Sequence, residues 1–246
     1  MAAPQPITQR RSRECELVQA TRSLFDERGL QDAPIEEIAR TVGIARGLIY
    51  RSFSSKEELY VLTVTNYLKE LDGVLAAAIA PDDGAPARLE QWGRAYAGFC
   101  DRYPAFLDCA LSLMRRPASE LKQTISESVW LRLGQGMAVC INHVADIVAQ
   151  GIREGSMTVE DADYTANVLW TQVLGTMHLA RLHVGLRQAA PGIPALFSVS
   201  SERVVESCIA SALATVGIAR APAPATTESK AIGQPPTSPA KTRQRR

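Results

Sequence analysis

Residues 35–60 read IEEIARTVGIARGLIYRSFSSKEELY, and the fold turns on how this stretch is parsed. Ile35, Ile38 and Ala39 place small and apolar groups on one face of a short helix, which Val42 and Gly43 end. Gly43 suits the left-handed conformation that a helix terminus often adopts and that a side chain makes costly. Ala45 to Ser52 predicts a second short helix, with Leu48, Ile49 and Phe53 as apolar anchors. Arg46, Gly47, Tyr50, Arg51 and Ser52 are left on its outside. Ser54 followed three residues later by Glu57 forms a capping-box pattern, and Lys56 stands in the first turn of the helix it opens.

Two short helices around a glycine turn are a helix-turn-helix, in which the second helix lies in a DNA major groove and the first crosses the backbone. The same spacing also fits an ordinary helical hairpin in a core, and residue identity separates the two. Ile38, Ala39, Gly43, Gly47, Tyr50, Phe53 and the run Ser55-Lys56-Glu57-Glu58-Leu59 resemble the DNA-binding domain of the TetR-type family of bacterial transcriptional regulators. The preceding helix adds Ala20, Leu24, Phe25 and a terminating Gly29, so the resemblance covers about 50 residues. Three positions depart from the family pattern. Ala45 stands where Ser or Thr is usual, Ala33 and Pro34 where Thr often opens the first helix of the motif, and Ser52 where His or Tyr is common.

The resemblance implies an all-α fold, with an N-terminal three-helix DNA-binding domain and a C-terminal helical domain for ligand binding and dimerisation. The expected boundaries are a disordered start over residues 1–9, the DNA-binding head over 10–55, the body over 56–220 and a disordered basic tail over 221–246. The expected contacts to DNA come from Ala45, Arg46, Gly47, Tyr50, Arg51, Ser52 and Lys56. Arg46 is assigned to base reading, because an arginine donates two hydrogen bonds to guanine O6 and N7. Gly47 admits close approach of the backbone, Tyr50 and Lys56 hold phosphates, and Arg51 fits either role. A symmetric homodimer would read a roughly palindromic operator in double-stranded DNA. Arg10, Arg11 and Arg13 read either as a solvated helix start or as a basic arm on the phosphates.

Upstream, Glu14 to Arg28 is an amphipathic helix whose Leu17, Ala20, Leu24 and Phe25 complete the small core of the head. Downstream, Lys56 to Ala80 reads as one long helix ending at Pro81-Asp82-Asp83-Gly84, a lever between head and body. Ala85 to Tyr103 carries Leu89, Trp92, Tyr96, Phe99 and Tyr103 at helical spacing, a stripe that serves as core or as the aromatic wall of a pocket. Ala105 to Arg115 is a short helix, and Ser119 to Glu154 the longest helical pattern. Gly134 and Gly136 within it fit a kink, room for a ligand or close helix packing. Thr158 with Asp161 caps the next helix, Asp161 to Arg187, which is apolar on several faces and, like Ser200 to Ile218, permits a subunit interface. Trp92, Tyr96, Phe99, Met114, Trp130, Leu133, Met137, Trp170, Leu174 and Met177 are the candidate lining of a pocket for a small apolar or aromatic effector.

Composition narrows the class. Apolar content of 46% and charged content of 22% are those of a globular protein, with no apolar run long enough to span a membrane and no secretory apolar core in residues 1–9, so a cytoplasmic location is expected. Five scattered cysteines without a CxxC pair read as free thiols, and His143, His178 and His183 show no ligand spacing, so neither metal nor cofactor is expected. Residues 1–56 carry nine Lys/Arg against seven Asp/Glu, residues 57–220 carry 13 against 18, and residues 221–246 carry five against one. An acidic body with basic ends directs phosphates to the ends. Two other readings stand beside the regulator. An enzyme using the pocket lacks any Gly-rich phosphate loop, metal motif or Ser/His/Asp constellation. A helical adaptor that has lost DNA binding would explain the missing hydroxyls at Ala33 and Ala45.

Overall fold

The computed structural model describes residues 7–28 and 35–218, with side chains from residue 12 onward. The expectations placed on residues 1–6, on Gly29, Ala33 and Pro34, and on the tail beyond residue 218 lie outside the described residues. Among the described residues, ten helices and one two-stranded hairpin follow in order: α1 Ile7–Arg28, α2 Ile35–Val42, α3 Arg46–Ser52, α4 Lys56–Ala78, α5 Ala85–Arg102, α6 Pro104–Met114, α7 Ala118–Thr124, α8 Glu127–Glu154, α9 Ala162–Leu182, β1 Val184–Ala190, β2 Ile193–Ser198 and α10 Ser201–Thr215.

The head forms around the residues that periodicity selects. Leu17, Val18, Leu24 and Phe25 of α1 bury against Ile35, Ile38 and Ala39 of α2, and against Ile49 and Phe53 at α3. Gly43 sits in the turn at φ 71°, the left-handed conformation its position requires. Helix α1 starts at Ile7, seven residues before the Glu14 expected from the apolar period and inside the stretch expected to be disordered. Arg10, Arg11 and Arg13 therefore lie on helical backbone.

The body is a layered helical bundle. Helix α4 runs along α8, α5 packs on α4, α8, α9 and α10, and α9 lies between α8 and α10. Trp92, Tyr67, Tyr96 and Phe106 are its largest fully buried side chains. Gly136 lets α8 approach α4 closely, since a Cβ there would touch Leu68 and Thr65, whereas Gly134 faces open space. Gly155 closes α8 at φ 70°.

Four local readings are corrected. The capping box is shifted by one residue: Ser55 is the N-cap of α4, its hydroxyl accepting from the Glu58 N–H, while the Glu58 carboxylate accepts from Ser54 N–H at 2.5 Å. The span from Ser119 to Glu154 is two helices, broken at Ile125, whose extended backbone (φ −127°, ψ 159°) keeps its side chain buried and hides the break from the apolar pattern. Asp161 alone caps α9, accepting from the Tyr164 N–H, and Thr158 instead donates its N–H to the Val216 carbonyl. Helix α9 stops at Leu182, with His183 at φ 55°, and the chain enters the antiparallel hairpin rather than running on to Arg187. The all-α expectation holds with that one addition.

Candidate nucleic-acid interface and apolar cavity

Helix α3 is held from one side only. Ile49 is buried and Leu48 half-buried, while Ala45, Arg46, Gly47, Tyr50 and Arg51 are exposed together on the far side. Nothing lies within 4 Å of the position a Cβ would take at Gly47, so a backbone can come close there. Lys56 is exposed at the start of α4. Ser52 differs: it is half-buried and its hydroxyl donates to the Leu48 carbonyl at 3.1 Å, which leaves it least able to reach a phosphate. Ala45 occupies the N-cap of α3 with no side-chain cap bond, as an alanine must.

Arg46 is not idle. Its guanidinium pairs with Glu36 of α2 at 2.6 Å and lies 5.6 Å from the centre of the Tyr50 ring. The Tyr50 hydroxyl, and after it Glu36, raise the Arg46 pKa above its ordinary value. Both members of the ion pair are more than half exposed, so the bond is weak and Arg46 can exchange it for another partner.

The head is tied to the body at two places. On one side, Arg22 of α1 is buried between the rings of Tyr67 and Tyr103, 4.2 and 4.9 Å from their centres. It donates to Asn66 at 2.8 Å and to Glu70 at 2.5 Å, both on α4. Tyr67 donates to Asp26 at 2.6 Å and Tyr103 to Glu70 at 2.7 Å. Burial pulls the Glu70 carboxyl upward, but the hydrogen bonds from Tyr103 and Arg22 outweigh it and the net shift is downward. These bonds make α1 and α4 one unit.

On the other side, the buried Glu58 carboxylate receives Ser54 N–H, the Ser54 hydroxyl at 2.7 Å and the Ser126 hydroxyl. Ser55 donates to the Thr124 carbonyl at 2.9 Å, and Arg132 of α8 pairs with Glu14 of α1 at 2.6 Å. Desolvation would raise the Glu58 pKa, yet the bonds from Ser126 and Ser54 hold it below the usual carboxylate value. This latch joins the end of α3 to the α7–α8 junction.

That junction also walls an apolar cavity of about 230 Å³ between α4, α6, α7, α8 and α9. Of the ten residues assigned to an effector, Met114, Trp130, Leu133, Met137, Trp170 and Leu174 line it. Trp92, Tyr96, Phe99 and Met177 do not: they are at most 3% exposed and belong to the core. Sequence reasoning missed Val64, Leu68, Phe106, Ala110, Leu113, Ala118 and Leu121, which line the cavity as well, together with the exposed Arg116. Leu121 fell on the expected apolar stripe, but it lines the cavity from α7, a helix separated from α8 by the break at Ile125.

The aromatic stripe nevertheless reaches the cavity indirectly. Tyr96 stacks on Trp170 with ring centres 4.3 Å apart, and Trp92 packs on Tyr96 at 5.6 Å. Trp92 Nε1 and the Tyr96 hydroxyl are buried without a hydrogen-bond partner. Burial, and then the neighbouring Cys100, Cys140 and Cys208, push the Tyr96 hydroxyl well above its ordinary pKa. The thiols themselves are kept protonated: burial pushes Cys109 and Cys140 to about 12 and Cys208 to about 11. Among the described residues no group of three His, Cys, Asp or Glu is placed to hold a metal ion, and no helix is long and apolar enough to cross a membrane.

Comparison with known proteins bears on both halves. Residues 17–62 match the family model described as bacterial regulatory proteins, tetR family. The transcriptional repressor KstR2 of Mycolicibacterium smegmatis is 34% identical over 83 residues, 32% of this chain and 40% of that protein. The transcriptional regulator BetI of Cronobacter sakazakii is 34% identical over 77 residues, 31% of this chain and 36% of that protein. The match thus spans about two fifths of the length of these relatives. The fold match is wider. A bacterial regulatory protein of the tetR family from Rhodococcus RHA1 superposes with a TM-score of 0.61 at 16% identity, covering 84% of this chain and 98% of that one. RolR in complex with its ligand resorcinol gives 0.55 at 16% identity, covering 87% and 91%. FadR from Bacillus subtilis in complex with stearoyl-CoA gives 0.59 at 13% identity, covering 82% and 97%.

Proposed function

Starting from a chain that carries the DNA-binding head of the tetR family on a body of the same fold, we propose that this protein is a ligand-responsive transcriptional repressor. It acts as a homodimer and binds a roughly palindromic operator. The observation that carries the reading is the exposed row Ala45, Arg46, Gly47, Tyr50 and Arg51 on a helix held from behind by Ile49. Arg46 exchanges Glu36 for a base edge, Gly47 admits the DNA backbone, and Tyr50, Arg51 and Lys56 hold phosphates.

The effector is a small apolar or aromatic molecule seated between Trp130 and Trp170. The cavity is smaller than the roughly 300–1,000 Å³ of drug-sized sites, which favours a single-ring compound or a short chain over a long acyl group. RolR, which binds resorcinol, offers a precedent of that size, whereas FadR with stearoyl-CoA would need a wider pocket. Ligand entering between α7 and α8 displaces Leu121, Trp130 and Leu133 and disturbs the junction on which Glu58 and Ser55 are latched. Because Arg22 fastens α1 to α4, the head then shifts as a unit, and two heads no longer match successive grooves. Such a switch needs only differential affinity for the two head positions.

A salt titration tests the DNA-binding half. A protein holding several phosphates per head loses operator affinity steeply between about 50 and 200 mM salt. A flat response, or no complex at low salt, would leave the enzyme or adaptor reading in its place.

A further inference from the structure

The hairpin that sequence reasoning missed carries its apolar residues on the wrong side for an isolated element. Cross-strand register puts Val184, Leu186 and Gln188 opposite Ser198, Leu196 and Pro194 on one face, and Gly185 and Arg187 opposite Phe197 and Ala195 on the other. The second face is the inner one: Phe197 lies over Gly185, where a side chain would collide with its ring, and Gly185, Ala195 and Phe197 are half-buried. The first face is open. Leu186 and Leu196, directly paired, are 70% and 65% exposed, and Ile193 at the turn is 58% exposed.

Two strands alone are marginal in water, and beyond each other these lean mainly on the end of α9. Of the eleven exposed large hydrophobic side chains among the described residues, six fall between positions 179 and 196: Leu179, Leu182, Val184, Leu186, Ile193 and Leu196. That concentration marks an interaction surface rather than scattered exposure.

We infer that this hairpin is an arm that closes over a second copy of the chain, extending the α9–α10 interface of the homodimer proposed above, on which the inference rests. Continuity selects this occupant. The apolar row begins on α9 at Leu179 and Leu182 and passes without a gap into β1. The neighbouring outer surfaces are mostly small: Thr171 and Gly175 of α9, and Ser207, Ala210 and Ala214 of α10, are all exposed, with His178 and Arg203 the larger polar side chains beside them. Small residues let helices approach closely but supply few large apolar anchors. A stable dimer covers about 800 Å² on each partner around a fully buried apolar centre. The helices provide the close approach and the two arms provide the anchors, each arm meeting the other protomer under two-fold symmetry.

Sedimentation equilibrium on the full chain and on the double variant Leu186→Asp, Leu196→Asp tests this, with circular dichroism as the check on folding. Both side chains face solvent in the single chain, so the variant is expected to fold. The wild type should be a dimer at micromolar concentration, and the variant should dissociate at least about tenfold more readily. Hydrogen exchange of wild-type amides in 184–198 should slow as concentration rises through the dimer midpoint, a readout that stands even if the variant fails to fold. Unchanged dimerisation of the variant, with exchange in the hairpin independent of concentration, would overturn the arm and leave the dimer intact. A wild type that stays monomeric would overturn the homodimer itself.

Discussion

Tyr96 ends in a hydroxyl with nothing to bond, fully buried between Trp92 and Trp170. An unpaired buried hydroxyl costs free energy that a ring hydrogen does not. Tyr96→Phe is therefore expected to raise stability by about 1 kcal/mol in urea melts, and a loss of that size would mean the hydroxyl has a partner. Glu36 makes the opposite kind of point. It pairs with Arg46 and adds a carboxylate beside the exposed face of α3, where the proposed operator phosphates would lie. Glu36→Gln is expected to tighten operator binding about two- to fivefold, as the release of an exposed ion pair allows. Weaker binding would show that Glu36 orients Arg46 rather than restraining it. The exposed residues of α3 were legible in the sequence because helix period and residue type point the same way. The partnership of Arg46 with Glu36 was not, since it joins two elements whose angle no local pattern encodes.

At the scale of elements, the latch at Glu58 carries a pH signature. Its carboxyl sits below the ordinary value of 4.5 when folded. A depressed carboxylate contributes stability above its unfolded pKa and loses it as pH falls through the folded one. Glu58→Gln should therefore cost about 1–3 kcal/mol at pH 7. The gap from wild type should shrink as pH drops below the usual carboxylate range, measured by urea melts across pH 3 to 7. A gap that does not vary with pH would mean the charge is not what holds Ser54 and Ser126. The long helices and the glycine stops at Gly43 and Gly155 could be read from periodicity and turn chemistry. The break between α7 and α8 could not, because Ile125 at the break stays buried in step with the apolar stripe and neither Gly nor Pro marks it. The hairpin did leave a signal in Pro191-Gly192, a turn pair between short apolar runs, with Gly192 at φ 77°. Helical period carried through Leu182 masked it.

At the scale of the whole molecule, α4 and the α7–α8 junction join the apolar cavity to the head that carries the exposed face of α3. Six of the cavity-lining residues were legible as apolar stripe positions, but pattern could not sort core from cavity wall, since Trp92 and Trp130 look alike until the helices are packed. Ala110 lines the cavity and is half-buried, so Ala110→Phe places a ring where the effector would sit. This variant is expected to lower operator affinity about fivefold or more, read by fluorescence anisotropy, with little change in melting temperature. Full operator affinity in a filled cavity would separate the cavity from the switch. Whether α3 reads a defined DNA site is decided by enriching genomic fragments on purified wild-type protein and on Arg46→Ala in parallel, followed by sequencing. One palindromic site with half-sites about one helical turn apart is expected, enriched by the wild type and lost or degenerate with Arg46→Ala. Enrichment of the same site by both proteins would contradict the role of Arg46, and no specific site for the wild type at low salt would contradict the regulator.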